Sequence, residues 1–404
     1  MADPSAHDSL RIALAFPGCH RRGGVERILF ECAHYLQSRG HQTTVFANEW
    51  ENETPSNAGV ASGAFESAFP FQTVQVQARR RPDFLYGKSF FDESSRRLKP
   101  NQFDALSTFG CVAPLGGVPW VQSVHAAWIE RSQSLRGPFS WAKWRQKINP
   151  LHPVLLKLER LHFAGKAANG GPNYRKVIAL TPEVSSDLQR IYGVPENDIV
   201  VIPNGFAPPE FSVPRAQSLR EEMRRELGFQ DDDRVLVFVA NEAERKGLEP
   251  LLLALKILDD PKIKLLVVGR IPASTWQPVS EKMGLTSQVT FTGPSGDVGK
   301  YYAASDIFVL PTQYEPWGLV IVEAMACGLP VVTSRCAGAA EAVQEGKTGY
   351  LLRDPQDAEE IAGNLRHLLE GRHIAAQAIA DSVQNYAWPR VLQRYEKVLL
   401  QNCR

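Results

Sequence analysis

Apolar residues in the first half of the chain fall into two alternating patterns. Residues 10–16 form a short continuous apolar run, and residues 25–38 repeat apolar side chains at helical spacing. Gly40 then closes that helix, and a second apolar run follows at 43–47. This is a strand–helix–strand unit with glycine at the helix end. Further strands are predicted at 105–108, 120–124, 177–180 and 199–202, with a helix at 182–192 opened by Thr181. Alternation of this kind builds a parallel sheet covered by helices.

The pattern restarts after Pro203-Asn204-Gly205. A charged helix is predicted at 218–227, then a strand at 235–239, a helix at 247–258 and strands at 264–268, 289–292 and 307–310. A helix at 318–327 and a strand at 331–333 complete the series. A chain of 404 residues exceeds what one hydrophobic core usually organises. The expectation is two Rossmann-like α/β domains, 1–205 and 206–380. A closing helical stretch, 381–404, is expected to pack back toward the first domain. Open α/β sheets bind ligands outside the carboxyl ends of their strands, so two such sheets facing one another would line a single cleft.

Composition narrows the class. With 44% hydrophobic and 22% charged residues, the chain reads as an ordinary globular protein. Residues 1–205 hold 23 Lys+Arg against 18 Asp+Glu, and residues 206–404 hold 22 against 26. The halves are therefore +5 and −4, without the concentrated basic face that nucleic acid requires, and no nucleic-acid partner is expected. Cysteines at 19, 32, 111, 327, 336 and 403 include no C-x-x-C pair, which fits reduced thiols in a cytoplasmic protein. The first ten residues are polar with no apolar run behind them, so no signal peptide is expected. No run of 18 apolar residues predicts a membrane-spanning helix. The expected location is the cytoplasm, or the inner membrane surface as a peripheral protein.

The most informative segment runs from Tyr314-Glu315-Pro316-Trp317-Gly318-Leu319-Val320 through Glu323 to Gly328-Leu329-Pro330. Pro316 suits a helix start and Gly318 lets a ligand approach the backbone. The N–H groups of Gly318, Leu319 and Val320 would then form an anion site reinforced by the helix dipole. Glu323 lies inside that helix among apolar residues, where a carboxylate is costly unless hydrogen-bonded. It either meets a partner such as a ribose diol, or faces solvent or caps a neighbouring loop.

Two glutamates separated by seven residues, followed by a G-x-P-V-V element and the small-residue loop 335–343, resemble the signature of retaining glycosyltransferases of family 4. Within that family, residues 150–350 resemble most the lipopolysaccharide-core glucosyltransferase type. The resemblance implies the GT-B fold, two Rossmann-like domains around a central cleft. It implies that Glu315 touches donor-sugar hydroxyls beside the reacting carbon and that Glu323 binds the ribose. In the stretch Asn241-Glu242-Ala243-Glu244-Arg245-Lys246-Gly247, which matches the family's R-K-G element, Arg245 and Lys246 would clamp the diphosphate and Asn241 would join the donor site. Cations already in place stabilise the charge left on a departing nucleoside diphosphate without reorganisation.

In the first half, Gly23 and Gly24 follow the first strand and open the first helix. They serve either a tight turn or, as in the family, an approach of backbone N–H groups to the donor. His125, expected at the end of the strand 120–124, corresponds to a family histidine near the reacting carbon. No metal or other cofactor is required, and Asp231-Asp232-Asp233 precedes a strand and reads as a solvated loop. Ala207 stands where many relatives carry Asp, and Trp317 where Phe is commoner.

Between 131 and 176 lie ten Lys+Arg against one acid, Glu159, with Phe139, Trp141, Trp144 and Phe163 interleaved. Cations with aromatics suit an anionic membrane surface. The alternatives are aromatics packed as core or a site for an anionic soluble acceptor. The reading is thus a retaining, metal-independent hexosyltransferase that uses a UDP-sugar of the UDP-glucose or UDP-GlcNAc type. Its acceptor would be a saccharide or lipid-linked. The rivals are a nucleotide-sugar 2-epimerase and a non-catalytic sugar-nucleotide-binding protein.

Overall fold

The computed structural model describes residues 9–21, 23–51, 69–99, 101–134, 148–371 and 375–403. The chain forms two compact units, Met1–Pro203 with Val391–Arg404, and Asn204–Arg390.

The first unit is built on a seven-stranded sheet. Its strands run in the order Gln72–Gln75, Gln42–Ala47, Arg11–Ala15, Ala105–Phe109, Val118–Val121, Val177–Ala179, Ile199–Val201, and each pairs with its neighbours in parallel. Ile12, Ala13, Leu14 and Ala15 are all fully buried, as expected of a central strand covered on both faces. The edge strand Gln72–Gln75 escapes the apolar pattern because half of it is polar and exposed. Val118–Val121 ends earlier than expected. Val124 is buried, yet it lies in the turn that leads into the helix His125–Ser134. His125 therefore opens a helix instead of ending a strand, because an apolar run reports burial and not conformation.

The last helix spans Trp388–Gln401, and from Val391 onward the chain belongs to the first unit. There the Tyr395 ring stacks on Trp120 at 5.1 Å. The Glu396 carboxylate accepts from Tyr35 Oη at 3.0 Å, His41 Nε2 at 3.1 Å and Arg39 Nε at 3.3 Å. Three hydrogen bonds are what a carboxylate buried this deeply requires.

The second unit holds a six-stranded parallel sheet in the order Val289–Gly293, Ile263–Val268, Arg234–Val239, Ile307–Leu310, Val331–Ser334, Gly349–Leu352. Strand order reverses between Arg234–Val239 and Ile307–Leu310, which is the topological switch point where such sheets bind ligands. The charged helix begins at Val213, earlier than expected, with Pro214 in its first turn. Asp231–Asp233 is not a wholly solvated loop. Asp233 is buried, its carboxylate accepts from Gln230 N at 2.7 Å, and its carbonyl accepts from Arg224 Nη2 at 2.9 Å.

Candidate active site

The loops leaving the two switch-point strands carry most of the predicted residues. After Val239 the chain turns through Asn241, whose Oδ1 accepts from Arg270 N at 3.0 Å and ties this loop to the neighbouring strand end. A short helix, Ala243–Lys246, follows, and Gly247 separates it from the helix Leu248–Leu258. Gly247 has φ +82, and a Cβ at that position would meet the Pro311 carbonyl at 2.1 Å. Only glycine allows the Arg245–Lys246 turn to lie this close to the segment that leaves Ile307–Leu310. The contact carries a hydrogen bond from Gln313 N to Arg245 O at 2.9 Å.

Segment 311–317 is fixed from its other side. Glu315 N donates to Cys336 O at 3.2 Å, Gly338 N to Glu315 O at 2.9 Å and Ala339 N to Trp317 O at 2.8 Å. The small residues of the 336–340 loop let two backbones run side by side here. Glu315 is thereby aimed at Lys246, with which it forms an ion pair of largely buried partners. Arg245 reaches Glu242 through Nε at 2.9 Å and Nη2 at 3.0 Å, and its Nη1 donates to Tyr314 O. Burial and then the adjacent Arg245 push the Lys246 ammonium down to about 7, with Glu242 opposing. The Glu315 carboxylate against it favours the charged form.

Gly318, at φ +99, is the N-cap of the helix Leu319–Ala326. This helix starts one residue later than expected; Ile321 N donates to Gly318 O at 2.9 Å, and the N–H groups of Leu319 and Val320 precede that first bond. Glu323 is 5% exposed between fully buried Val322 and Ala324, so the solvent-facing alternative is excluded: every residue of this helix from Ile321 to Ala326 is buried. Burial and the nearby Glu323 raise the Cys327 thiol to about 12. Asn241, Arg245, Lys246, Glu315, Gly318, Leu319, Val320 and Glu323 all belong to the second unit.

Gly23, Gly24 and His125 belong to the first. Gly24 is the N-cap of Val25–Ser38, and the Glu26 side chain folds back over Gly23. His125 sits in a cluster that the sequence did not announce. Its backbone N donates to Glu159 Oε1 at 2.6 Å, Ala126 N donates to Glu159 Oε2 at 3.1 Å, and Tyr192 Oη donates to the same oxygen at 2.7 Å. The His125 ring lies 3.0 Å from His152 Nδ1 through Nε2 and stacks on Trp128 with centroids 5.5 Å apart. Burial first, and then His152, lower the His125 imidazole to about 4. Burial raises the Glu159 carboxyl, opposed by the hydrogen bonds it accepts. An acid amid the leucines of Leu151–Phe163 was the available signal for Glu159. Nothing in sequence pairs His125 with His152, 27 residues away.

A cavity of about 970 Å³ in the same unit is lined by Ala126, Leu158 and Tyr192, with Lys157 and Arg160 among its polar residues. Several of the described cations of the basic segment are engaged within the unit. Arg131 pairs with Glu183 and Asp187, both at 2.8 Å, and Arg175 donates to Cys403 O at 2.9 Å. Phe163 is core. Arg136, Phe139, Trp141, Lys143, Trp144, Arg145 and Lys147 lie outside the described residues. Among the described residues no helix is long and apolar enough to cross a membrane.

Residues 22–208 match the Glycosyltransferase Family 4 domain and residues 219–384 the Glycosyl transferases group 1 domain. An uncharacterized glycosyltransferase of Methanocaldococcus jannaschii is 30% identical over 224 residues, 54% of this chain and 57% of that protein. The lipopolysaccharide glucosyltransferase WaaG of Escherichia coli is 23% identical over 90% of this chain and 91% of its own. The crystal structure of WaaG superposes with a TM-score of 0.76 at 22% identity, covering 96% of this chain and 99% of that one. Anabaena HepE in complex with UDP-glucose superposes at 0.67, 19% identical, over 97% and 100% of the two chains. With both domain matches in register with its two parallel-sheet units, the chain belongs to the glycosyltransferases of GT-B architecture, a family 4 domain followed by a group 1 domain.

Proposed function

We propose that this glycosyltransferase transfers a hexosyl group from a UDP-sugar to a saccharide or lipid-linked acceptor, with retention of configuration and without a metal. The observation that carries the reading is the grouping of Arg245, Lys246 and Glu315 at the switch point, beside the start of the helix that buries Glu323. Both cations are held by carboxylates, Arg245 by Glu242 and Lys246 by Glu315. A diphosphate would take over these cations together with the first-turn N–H groups of Leu319–Ala326, and Glu315 would then be free to meet donor-sugar hydroxyls. The bond from the anomeric carbon to the phosphate oxygen breaks, and the acceptor oxygen bonds on the same face. The acceptor's proton passes to the leaving diphosphate, whose developing charge the two cations stabilise. Asn241 and the turn at Gly23 and Gly24 complete the donor contacts in this scheme, and His125 meets the transferred sugar.

The UDP reading is supported by HepE, which is named in complex with UDP-glucose. A lipid-linked acceptor is supported by the apolar cavity beside Ala126 and Tyr192, with Lys157 and Arg160 along it. We propose that the protein works in the cytoplasm, held peripherally at the anionic face of the membrane by the basic segment.

A thermal-shift panel of nucleotide sugars tests the donor. UDP-sugars should raise the melting temperature most, since a ligand at about a hundred times its dissociation constant adds ~2.7 kcal/mol. Stabilisation by another base and none by UDP would overturn the assignment. NMR of the transferred sugar tests retention, and incubation with UDP-GlcNAc alone, followed for an epimer, tests the epimerase alternative. For the membrane, sedimentation with phosphatidylglycerol vesicles should exceed that with neutral vesicles and fall with salt. Equal binding to both refutes peripheral attachment by charge.

A further inference from the structure

We infer that Glu159 and His152 are positioning residues for His125, the carboxylate fixing the backbone at the start of its helix and the second imidazole fixing its ring. The inference rests on the reading above that His125 meets the transferred sugar.

Each part follows from geometry. Glu159 is 2% exposed, on Leu151–Phe163, and both of its oxygens are used. One oxygen takes the N–H of His125, and the other takes the N–H of Ala126 and the Tyr192 phenol. The first N–H groups of a helix have no acceptor within it and carry the positive end of its dipole. A buried carboxylate placed across two of them satisfies the donors and the charge together. It also occupies the helix N-terminus, and so holds the backbone from which the His125 side chain projects.

The ring is fixed separately. With Nε2 3.0 Å from His152 Nδ1 and one face on Trp128, the imidazole has one hydrogen-bonded edge and one stacked face. Whichever nitrogen of the pair carries the proton, the other accepts it, so His152 selects the tautomer that His125 presents. Trp128 packs against both rings, and Glu159 has Tyr192 and Cys111 about it, the Cys111 thiol being raised by burial with Glu159 adding to the effect. Substituting Glu159 would release the helix start, and substituting His152 would release the ring. A displacement of about 1 Å at a reacting centre lowers rates by roughly 100-fold.

The test uses the full chain and UDP-glucose as probe, with two independent readouts. The first is the NMR titration of the His125 ring. In His152→Gln the like charge is gone and the hydrogen-bonding partner kept, so the His125 titration should move to higher pH. A titration unchanged in both His152→Gln and His152→Ala overturns the ring contact. The second is sugar release from UDP-glucose. His152→Ala and Glu159→Gln should lower turnover about 10- to 100-fold while UDP affinity, which this reading assigns chiefly to Arg245, Lys246 and Glu323, stays within about twofold. His152→Gln should recover most of the His152→Ala loss. Turnover at the parent level in both Glu159→Gln and His152→Ala overturns the inference when His125→Ala is inactive. If His125→Ala is itself fully active, the site reading fails, and the titration alone decides whether the ring contact exists.

Discussion

Replacing Gly247 by alanine tests how the switch point is assembled. Gly247 and Gly284 share φ +82, but a Cβ at Gly247 meets the Pro311 carbonyl at 2.1 Å whereas one at Gly284 meets no atom within 4 Å. Both substitutions place an L side chain in the left-handed region, at a cost of about 1–2 kcal/mol. Only Gly247→Ala also forces two loops apart. A carbon–oxygen contact relaxes near ~3.3 Å, so the Arg245–Lys246 turn must withdraw from Pro311 by roughly 1 Å. That shift lengthens the Gln313 N to Arg245 O bond beyond hydrogen-bonding range, a further loss of about 1 kcal/mol. The total is about 2–3 kcal/mol, or roughly 4–12 °C in melting temperature for a unit of this size, against about 1–2 kcal/mol for Gly284→Ala. Because Lys246 is displaced from Glu315, UDP affinity and sugar transfer should fall together, transfer by about 100-fold. Differential scanning fluorimetry and calorimetric UDP titration of the two variants decide the matter. Equal melting temperatures with unchanged UDP affinity would refute the reasoning.

Three further outcomes are expected. The double variant Arg245→Ala, Lys246→Ala should lose at least about 100-fold in turnover with little loss of stability, because these cations act on charge that develops in the transition state; steady-state kinetics with near-parental turnover would remove them from the site. Glu323→Gln should weaken UDP binding by about tenfold with transfer at saturation largely kept, and Glu315→Gln should do the reverse, as read by calorimetry and single-turnover assays. Since His125 titrates at about 4 in the folded protein and its unfolded value is higher, the unfolded chain binds a proton that the native one refuses. Stability should therefore fall as pH drops from about 6.5 toward 4, and the slope in urea-unfolding series should flatten in His125→Gln.

Much of this protein was legible along the chain. Alternating apolar runs located both parallel sheets, because strands buried on both faces are necessarily apolar: Ile12–Ala15 and Val235–Phe238 have no exposed surface. The two-glutamate segment could be read because its chemistry is local. A helix start, its glycine and its two acids fall within a few consecutive residues, so their spacing already fixes their placement. The edge strand Gln72–Gln75 could not be read, since an edge half open to water needs no apolar pattern.

What tertiary structure decided concerns residues far apart in sequence. Lys246 meets Glu315 across 69 positions only because strand order reverses between the two strands that precede them. Glu323 could have faced water as far as its neighbours indicate, and it is buried because its helix is covered on all faces from Ile321 to Ala326. Within the cationic stretch from 131 to 176, Arg131 is taken by Glu183 and Asp187, partners brought by the helix Pro182–Tyr192. His125 owes its low proton affinity to burial first and then to His152, which Leu151–Phe163 brings against its ring; the same helix places Glu159 beneath its backbone. Sequence determines which side chains are apolar, charged or conformationally free over a few residues; which charge meets which partner, and in what dielectric, is set by the packing of elements that sequence distance does not reveal.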